Sequence, residues 1–210
     1  MKEIITDDGS VTFFNEYFQD VYNSKTGAMQ EAREKFVIPC KIPELAKKGK
    51  IKILDICFGI GYNSLLAIHE ALISNPDVEI EIIGLENDPE VIEQIQKMKF
   101  KDEFKKEYAY IQKQSKGKIS VTIIEGDARE TIKPLGKFDA VFLDPFTPKT
   151  CAHMWAEDLM KEITKHMKDD AILATYSCAR MVRDNMKKAG LKVFDGPKVG
   201  RFAPSTYCTL

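Results

Sequence analysis

The sequence predicts an α/β fold with a mostly parallel, seven-stranded sheet that carries helices on both faces. Two observations lead to this prediction. From about residue 50 onward, short apolar segments of strand length alternate with longer segments of helical period. The strand-like segments are nearly continuously apolar, which is typical of strands buried on both faces. We assign this region, residues 49–210, to one domain, preceded by a short N-terminal extension over residues 1–48.

The N-terminal extension is predicted to form a hairpin followed by helical structure. Ile4–Ile5 and Val11–Phe13 have strand-like composition and are separated by the turn residues Asp7–Gly9. Residues 15–48 then have a mostly helical pattern, with an irregular break over residues 23–27.

Strands and helices of the second region follow one another in a regular order. The predicted strands are 51–56, 80–85, 119–124, 138–143, 171–176, 191–194 and 207–210. The predicted helices are 63–74, a long charged stretch over 90–115 that is interrupted near residue 102, 156–166 and 179–189. We expect the last two strands to pair antiparallel.

Composition limits the classes of protein to which the chain can belong. Its net charge of -1 means that nucleic-acid binding would require a local basic surface. No apolar run reaches the roughly 18 residues of a membrane span, and the N-terminus lacks the apolar core of a signal peptide. We therefore expect a cytoplasmic protein with no membrane partner. The five cysteines form no C-x-x-C pair and no histidine stands at metal-ligand spacing, which predicts free thiols and no metal site.

Carboxylates stand where four of the predicted strands end. They are Asp55, Glu86, Asp127 and Asp144. The carboxyl ends of parallel strands meet at one edge of a sheet, and ligands of such folds bind there. The sequence therefore predicts a ligand site lined by these four acids.

A glycine turn follows the first of these strands. Gly59 and Gly61 open a helix, and glycine there lets the backbone approach a ligand closely. By itself this pattern also fits nicotinamide enzymes and plain tight turns. However, Ser64 replaces the third glycine of the dinucleotide fingerprint. Asp55 would repel a pyrophosphate, whereas it suits a cationic amino-acid group.

Two further acids indicate an adenosine group. Glu86 is placed to accept hydrogen bonds from both ribose hydroxyls, a feature shared with NAD-binding proteins. Asp127, followed by Ala128, can accept from an adenine amino group, or can simply cap a helix or turn. Together with the glycine turn these residues resemble the pattern of class I S-adenosylmethionine methyltransferases. The resemblance implies a Rossmann-like fold and S-adenosylmethionine as the cofactor.

The segment after the fourth strand carries the predicted acceptor chemistry. Asp144-Pro145-Phe146-Thr147-Pro148 is similar to the Asp/Asn-Pro-Pro-aromatic motif of methyltransferases that act on amino groups of bases. An aliphatic ammonium, with a pKa of about 10, must lose a proton before it attacks a methyl group. Asp144 can orient the amine and accept that proton, and Phe146 offers a stacking face. We predict both as catalytic, with Pro145 and Pro148 shaping the substrate loop. A plain strand-end turn is the alternative.

Other candidates carry weaker signals. Trp155, the only tryptophan, follows the Asp-Pro loop and can either stack on a base or pack the loop. Tyr176 ends the fifth strand and can line the acceptor pocket or serve the fold alone. We list both as substrate-binding candidates. The three histidines lack a paired nucleophile, so we assign them no catalytic role.

Across nearly its whole length the chain resembles the methyltransferase domain of the bifunctional MnmC-type tRNA-modification enzymes and the related stand-alone DUF752 proteins. The segments that carry the resemblance are Gly9–Thr12, Val21–Ser24, Gly27–Glu31, Leu54–Asn63, Asp144–Pro148, Trp155, Thr175–Ala179 and Val182–Arg183. The resemblance adds Tyr22, Phe58 and Asn63 to the expected cofactor-binding residues. Cys57 stands where methyltransferases often have glycine. A cysteine is tolerated at this position if its backbone φ is negative, which we expect here.

This resemblance implies a specific reaction. The expected activity is methylation of the aminomethyl group on the wobble uridine of tRNA, giving 5-methylaminomethyluridine. The expected partner is the tRNA anticodon region. No segment could supply the FAD-dependent oxidase of the fused enzymes, so a separate enzyme would make the aminomethyl precursor. Alternatives are a methyltransferase or aminopropyl transferase that acts on a small-molecule or protein amine, and a non-enzymatic binding module. The Asp144 motif beside the intact glycine turn argues against the last.

Overall fold

The computed structural model describes residues 1–100 and 102–210. In this part of the chain the strands form a seven-stranded sheet and a separate three-stranded sheet. The larger sheet is the centre of the fold. The smaller one belongs to the N-terminal region and lies beside the opening of the candidate site.

The three-stranded sheet consists of β1 (Lys2–Ile5), β2 (Val11–Asn15) and β3 (Asp20–Val21), all antiparallel. The predicted hairpin is confirmed. The helical prediction just after it is wrong, because residues 16–19 form turns that lead into β3. The side chain of Asn15 accepts from the backbone N–H groups two and three residues ahead, which favours a turn over a helix.

Helical structure begins only at residue 28. It consists of α1 (Ala28–Ala32), a π-helical turn (Arg33–Val37) and α2 (Ile42–Ala46). The buried apolar residues of these segments belong to the same cluster as one face of the larger sheet. The boundary that we place at residue 48 stays a prediction.

The larger sheet has the predicted seven strands. They are β4 (Lys50–Ile56), β5 (Glu79–Glu86), β6 (Ile119–Glu125), β7 (Phe138–Leu143), β8 (Met167–Thr175), β9 (Lys192–Asp195) and β10 (Thr206–Thr209). Their order is β6-β5-β4-β7-β8-β10-β9. The pairs among β4 to β8 are parallel, whereas β10 is antiparallel to both of its neighbours. The mostly parallel sheet is therefore confirmed.

Helices cover both faces of this sheet. They are α3 (Tyr62–Ser74), α4 (Pro89–Lys97), α5 (Asp102–Gln112), α6 (Ala128–Thr131), α7 (Glu157–Lys165) and α8 (Arg180–Lys188). The charged stretch predicted as one interrupted helix forms α4 and α5. Among the helices of the described residues, none has the length and apolar character needed to cross a membrane.

Alternation along β4 explains why two apolar cores form. Ile51 and Ile53 belong to the cluster under α3 and α5, whereas Leu54 and Ile56 belong to the cluster on the opposite face. All four side chains are fully buried. A central parallel strand therefore stabilises both layers, as expected for a sheet with helices on both sides.

A buried tyrosine connects the small sheet to helix α3. The hydroxyl of Tyr62, in the first turn of α3, donates to the carbonyl of Val11 at 2.7 Å and accepts from its N–H at 3.0 Å. Tyr62 is only 2% exposed. One side chain thus satisfies both backbone groups at the start of β2.

We expect Tyr62→Phe to lower the free energy of unfolding by about 1–3 kcal/mol, because both backbone groups of Val11 lose their partner. Urea unfolding followed by circular dichroism measures this change. Tyr110→Phe is the matched control, because the hydroxyl of Tyr110 makes no hydrogen bond with any residue that the structure describes. We expect this substitution to change the free energy of unfolding by less than about 0.5 kcal/mol. Equal effects of the two substitutions would contradict the anchoring role.

Candidate functional site

A cavity of about 250 Å³ opens at the carboxyl ends of the parallel strands. Loops after β4, β5, β6, β7 and β8 line it, together with the N-terminal region and the loop between β9 and β10. Eleven of the predicted site residues lie in its wall: Tyr22, Phe58, Gly59, Asn63, Glu86, Asp127, Ala128, Asp144, Pro145, Phe146 and Tyr176. The cavity thus lies at the edge of the sheet where we expect the ligand site.

Asp55 is placed differently from our expectation. Its side chain is fully buried behind the glycine turn, does not line the cavity, and accepts a hydrogen bond from Oγ of Ser64 at 2.7 Å. Burial raises the pKa of Asp55 to about 7, although the bond from Ser64 opposes the rise. In this arrangement the carboxylate fixes the start of α3. It does not face a cationic group of a ligand in the cavity.

The glycine turn is strained at one non-glycine position. Gly59 and Gly61 have φ of 56° and 84°, as the turn requires, and Cys57 has φ of 63°. The expected negative φ at Cys57 is therefore not observed. The left-handed conformation costs a residue that has a β-carbon about 1–2 kcal/mol. Gly61 does not line the cavity. Its role is to leave room for the ring of Phe58, whose Cε1 would lie 2.7 Å from a Cβ at that position.

Glu86 connects the ends of two strands. Oε2 accepts from the N–H of Gly59 at 2.7 Å, and Oε1 accepts from the N–H groups of Asn87 and Asp88 at 2.9 and 3.0 Å. Burial raises the pKa of Glu86, which these three hydrogen bonds oppose. An ionised carboxylate accepts about four hydrogen bonds. Glu86 therefore shapes the turn and still has acceptor capacity toward the cavity.

Asp127 caps a helix and also lines the cavity. Its Oδ1 accepts from the N–H of Arg129 at 2.9 Å and caps α6, and the residue also lines the cavity. Ala128 is the first residue of α6, where backbone N–H groups have no partner inside the helix. The cap thus leaves the second carboxylate oxygen and this N–H to face a ligand.

Asp144 lies across the cavity at the end of β7. Its Oδ2 accepts from Nδ2 of Asn63 at 2.9 Å. Burial raises the pKa of Asp144 well above its usual value, the nearby carboxylate of Glu31 raises it further, and the bond from Asn63 opposes both. A carboxylate in this environment binds a proton more readily than an exposed one does.

An aromatic wall stands beside Asp144. The ring of Phe146 stacks on Phe18 with centroids 4.6 Å apart and contacts Tyr22 at 5.0 Å. The hydroxyl of Tyr22 donates to the side chain of Asp88, which also accepts from Asn15. The stacking of Phe18 on Phe146 therefore packs the turn before β3 against the predicted acceptor loop, and the bonds to Asp88 connect this region to the start of α4.

Trp155 and Tyr176 both donate hydrogen bonds to backbone carbonyls of the predicted acceptor loop. Trp155 is fully buried, does not line the cavity, and its Nε1 donates to the carbonyl of Phe146 at 2.8 Å. Loop packing is therefore its role, and stacking on a base is not. Tyr176 lines the cavity and its hydroxyl donates to the carbonyl of Pro145 at 3.0 Å. Pro148 lies outside the cavity wall, so its contribution is confined to the loop.

Four charged residues of the cavity wall were not predicted as site residues, and one of them is Asp20 at the start of β3. Glu31 and Lys35 come from the α1 region, and Arg201 from the loop between β9 and β10. The guanidinium of Arg201 donates to the carbonyl of Tyr176 and lies 5.8 Å from the centroid of its ring. Spacing of four residues between Glu31 and Lys35 indicates one helix face, but a Glu–Lys pair at this spacing is usually exposed. No sequence signal points to Arg201.

The residues present fit an adenosine-containing ligand. Glu86 and Asp127 provide acceptors for hydroxyl and amino hydrogens, and the backbone at Gly59 is open enough that a Cβ would contact only Tyr22, at 3.5 Å. Over residues 1–100 and 102–210 no group of His, Cys, Asp and Glu is arranged to hold a metal ion. The five cysteines are free thiols.

Comparison with known proteins gives a consistent picture. A family model described as S-adenosyl-L-methionine-dependent methyltransferase matches residues 89–209. An uncharacterized protein of Methanocaldococcus jannaschii is 31% identical over 93% of this chain and 56% of its own length. The tRNA 5-methylaminomethyl-2-thiouridine biosynthesis bifunctional protein MnmC of Leptospira interrogans is 28% identical over 94% of this chain. This chain spans only 34% of that MnmC protein.

Solved structures agree with the sequence relatives. The crystal structure of MNMC2 from Aquifex aeolicus matches with a TM-score of 0.90 and 30% identity, over 100% of this chain and 70% of that one. Human methyltransferase-like protein 13 in complex with SAH matches with a TM-score of 0.53 and 14% identity, over 87% of this chain and 80% of that one. Because its identity is only 14%, the match to the human protein shows a shared fold alone.

Gly84 of β5 tests the packing behind the glycine turn. A Cβ at this position would lie 2.8 Å from Cγ of Phe58. We expect Gly84→Ala to lower stability by about 1–3 kcal/mol and to weaken binding of S-adenosylhomocysteine, because Phe58 must move within the cavity wall. Thermal unfolding and calorimetric titration measure the two effects.

Gly136→Ala is the control for this substitution, since no atom lies within 4 Å of a Cβ there and φ is not in the left-handed range. We expect this variant to keep wild-type stability and affinity. Wild-type binding by the Gly84→Ala variant would show that the position of Phe58 does not matter to the ligand.

Proposed function

The chain belongs to the family of S-adenosyl-L-methionine-dependent methyltransferases, and we propose that it methylates the aminomethyl group on the wobble uridine of tRNA. The product would be 5-methylaminomethyluridine, and the proposed reaction is the methylation alone, with tRNA that already carries the aminomethyl group as its substrate. The observation that carries this proposal is the placement of Asp144 and Phe146 side by side in the cavity wall. The names of the MnmC relatives, which describe biosynthesis of 5-methylaminomethyl-2-thiouridine in tRNA, support it. A tRNA substrate also implies a cytoplasmic location.

The cofactor of the family is S-adenosylmethionine, and it supplies an electrophilic methyl group when bound. Glu86 would accept from its ribose, and Asp127 with the N–H of Ala128 would hold its adenine. Gly59 lets the backbone approach it closely. These residues lie at the ends of β4, β5 and β6, on one side of the cavity.

On the other side, Asp144 would prepare the acceptor. Its carboxylate can accept a hydrogen bond from an incoming ammonium, align the nitrogen, and then accept the proton that must leave before attack. The raised pKa makes Asp144 a stronger base than an exposed aspartate. Asn63 donates to Oδ2, and no described residue donates to Oδ1, so Oδ1 would be available to the amine. Positioning of the amine would provide much of the remaining acceleration.

The aromatic wall suits a nucleoside better than a simple alkyl amine. Phe146, supported by Phe18 and Tyr22, offers an extended face on which an unpaired base can stack. An anticodon base is already in a single-stranded loop, so little unpairing energy is required to present it. Arg201 at the same wall can meet the backbone phosphate charge.

We expect Asp144→Ala to reduce methyl transfer at least about 100-fold, because the amine loses both its acceptor and its orienting group. Labelled S-adenosylmethionine and tRNA that carries aminomethyluridine measure the rate, with unmodified tRNA as the negative substrate. Asp169→Asn is the matched control: Asp169 is exposed near the start of β8, outside the cavity. Transfer of label to polyamines or protein but not to this tRNA would overturn the proposed acceptor.

A pH profile provides an independent test. Asp144 must be ionised, and its pKa is raised, so kcat/KM should rise with pH through a limb above the usual aspartate range. Asn63→Ala removes the hydrogen bond that stabilises the ionised form. This variant should therefore move the acidic limb to higher pH, whereas Asn87→Ala, another cavity residue at the end of β5, should leave it in place. An acidic limb that stays unmoved in Asn63→Ala would argue against Asp144 as the base.

A further inference from the structure

A buried ion pair lies in the cavity wall, and the proposed methyl transfer assigns neither of its members a contact with the cofactor or the amine. Nζ of Lys35 lies 2.6 Å from Oε1 of Glu31, and the two side chains are 5% and 15% exposed. Both residues line the same cavity as Asp144. The pair is thus a fixed positive and negative charge at the surface of the ligand site.

The local backbone explains how the pair reaches the site. Glu31 lies in α1 and Lys35 four residues later in the π-helical turn, where the N–H of Ile38 bonds to the carbonyl of Arg33. This segment packs against α3 and β8. Oε2 of Glu31 also accepts from the N–H of Ser24 at 3.0 Å, which fixes the carboxylate. π-helical turns occur frequently at functional sites.

Stability does not account for the pair. The desolvation of two buried charges offsets much of their attraction, so such pairs are weak contributors to folding. The ammonium of Lys35 has three N–H donors, and within the described chain only Glu31 accepts from it. Each oxygen of Glu31 has one donor and keeps a lone pair. Donors and acceptors of opposite charge are therefore available to a ligand.

This arrangement complements the zwitterionic end of an amino acid. The ammonium of Lys35 matches an α-carboxylate, and the carboxylate of Glu31 matches the neighbouring α-ammonium. The residues that fit adenosine follow β5 and β6, whereas Glu31 lies near Asp144 after β7, across the central strand β4. An extended ligand could span both ends. We propose that Glu31 and Lys35 bind the methionine end of S-adenosylmethionine, the role that the buried Asp55 does not fill. The inference rests on the methyl-donor part of the proposed function.

Other ligands fit the pair less well. An acceptor amine arrives as a cation and would be repelled by Lys35 at close range. The donor of an aminopropyl transferase is decarboxylated, so it would leave the buried ammonium of Lys35 without an anion. A pair of both signs is therefore better explained by a donor that retains its carboxylate.

Three ligands allow the contributions of the two charges to binding to be measured separately. S-adenosylhomocysteine has the carboxylate and the ammonium, its decarboxylated form has only the ammonium, and 5′-methylthioadenosine has neither. We expect Lys35→Met to weaken calorimetric binding of the first about 10- to 100-fold and to leave the other two unchanged. Glu31→Gln should weaken binding of the first two and spare the third.

Lys97→Met is the matched control, because Glu93 and Lys97 form a pair with the same spacing at 2.7 Å on the exposed side of α4. If a single variant does not fold, the double variant Glu31→Gln/Lys35→Met removes both charges together. It must then lose the preference of the wild type for S-adenosylhomocysteine over 5′-methylthioadenosine.

Equal loss for all three ligands, or unchanged affinity for S-adenosylhomocysteine in a folded variant, would overturn the inference. So would wild-type protein that binds the decarboxylated ligand as tightly as the intact one. Because no tRNA is present, these outcomes do not depend on the acceptor. If the variants change ligand affinity as expected but the wild-type protein does not methylate the tRNA, only the proposed acceptor is rejected.

Discussion

The hydrogen bond from the N–H of Gly59 to the carboxylate of Glu86 connects the two strand ends on which the site is built. Glu86 also accepts from two N–H groups of its own loop, so one buried side chain fixes the turns after β4 and β5 together. The turn after β4 in turn sets where α3 begins. A carboxylate is suited to this task because it accepts several hydrogen bonds and remains able to accept another from a ligand.

Three consecutive residues at the start of α3 connect this helix to other parts of the molecule. Tyr62 bonds to β2, Asn63 to Asp144 and Ser64 to Asp55. These partners belong to the N-terminal sheet, the acceptor loop and the buried end of β4. Because the first turn of a helix presents side chains in several directions, one turn can organise the small sheet, the predicted base and the core at once.

Charges in the cavity are divided between two sides. Glu86 and Asp127 stand on the side that fits adenosine, and Asp144 stands on the other side with Glu31 and Lys35. Burial raises the pKa of both Glu86 and Asp144, so both sites favour ligands that bring hydrogen-bond donors or positive charge. Trp155 and Tyr176 hold the acceptor loop through its backbone carbonyls, which keeps Phe146 facing the cavity.

The sequence by itself determined the α/β class, the seven strands and the edge of the sheet at which the cavity opens, because these depend on local apolar patterns and on residues that directly follow strands. It also singled out the loop at Asp144, which lines the cavity. Only the tertiary structure decided that Asp55 faces Ser64, that Trp155 packs behind the loop, and that β3 replaces a helix. It alone brought the Glu31–Lys35 pair into the cavity. Burial and orientation depend on contacts between segments far apart in the chain, and no local pattern encodes them.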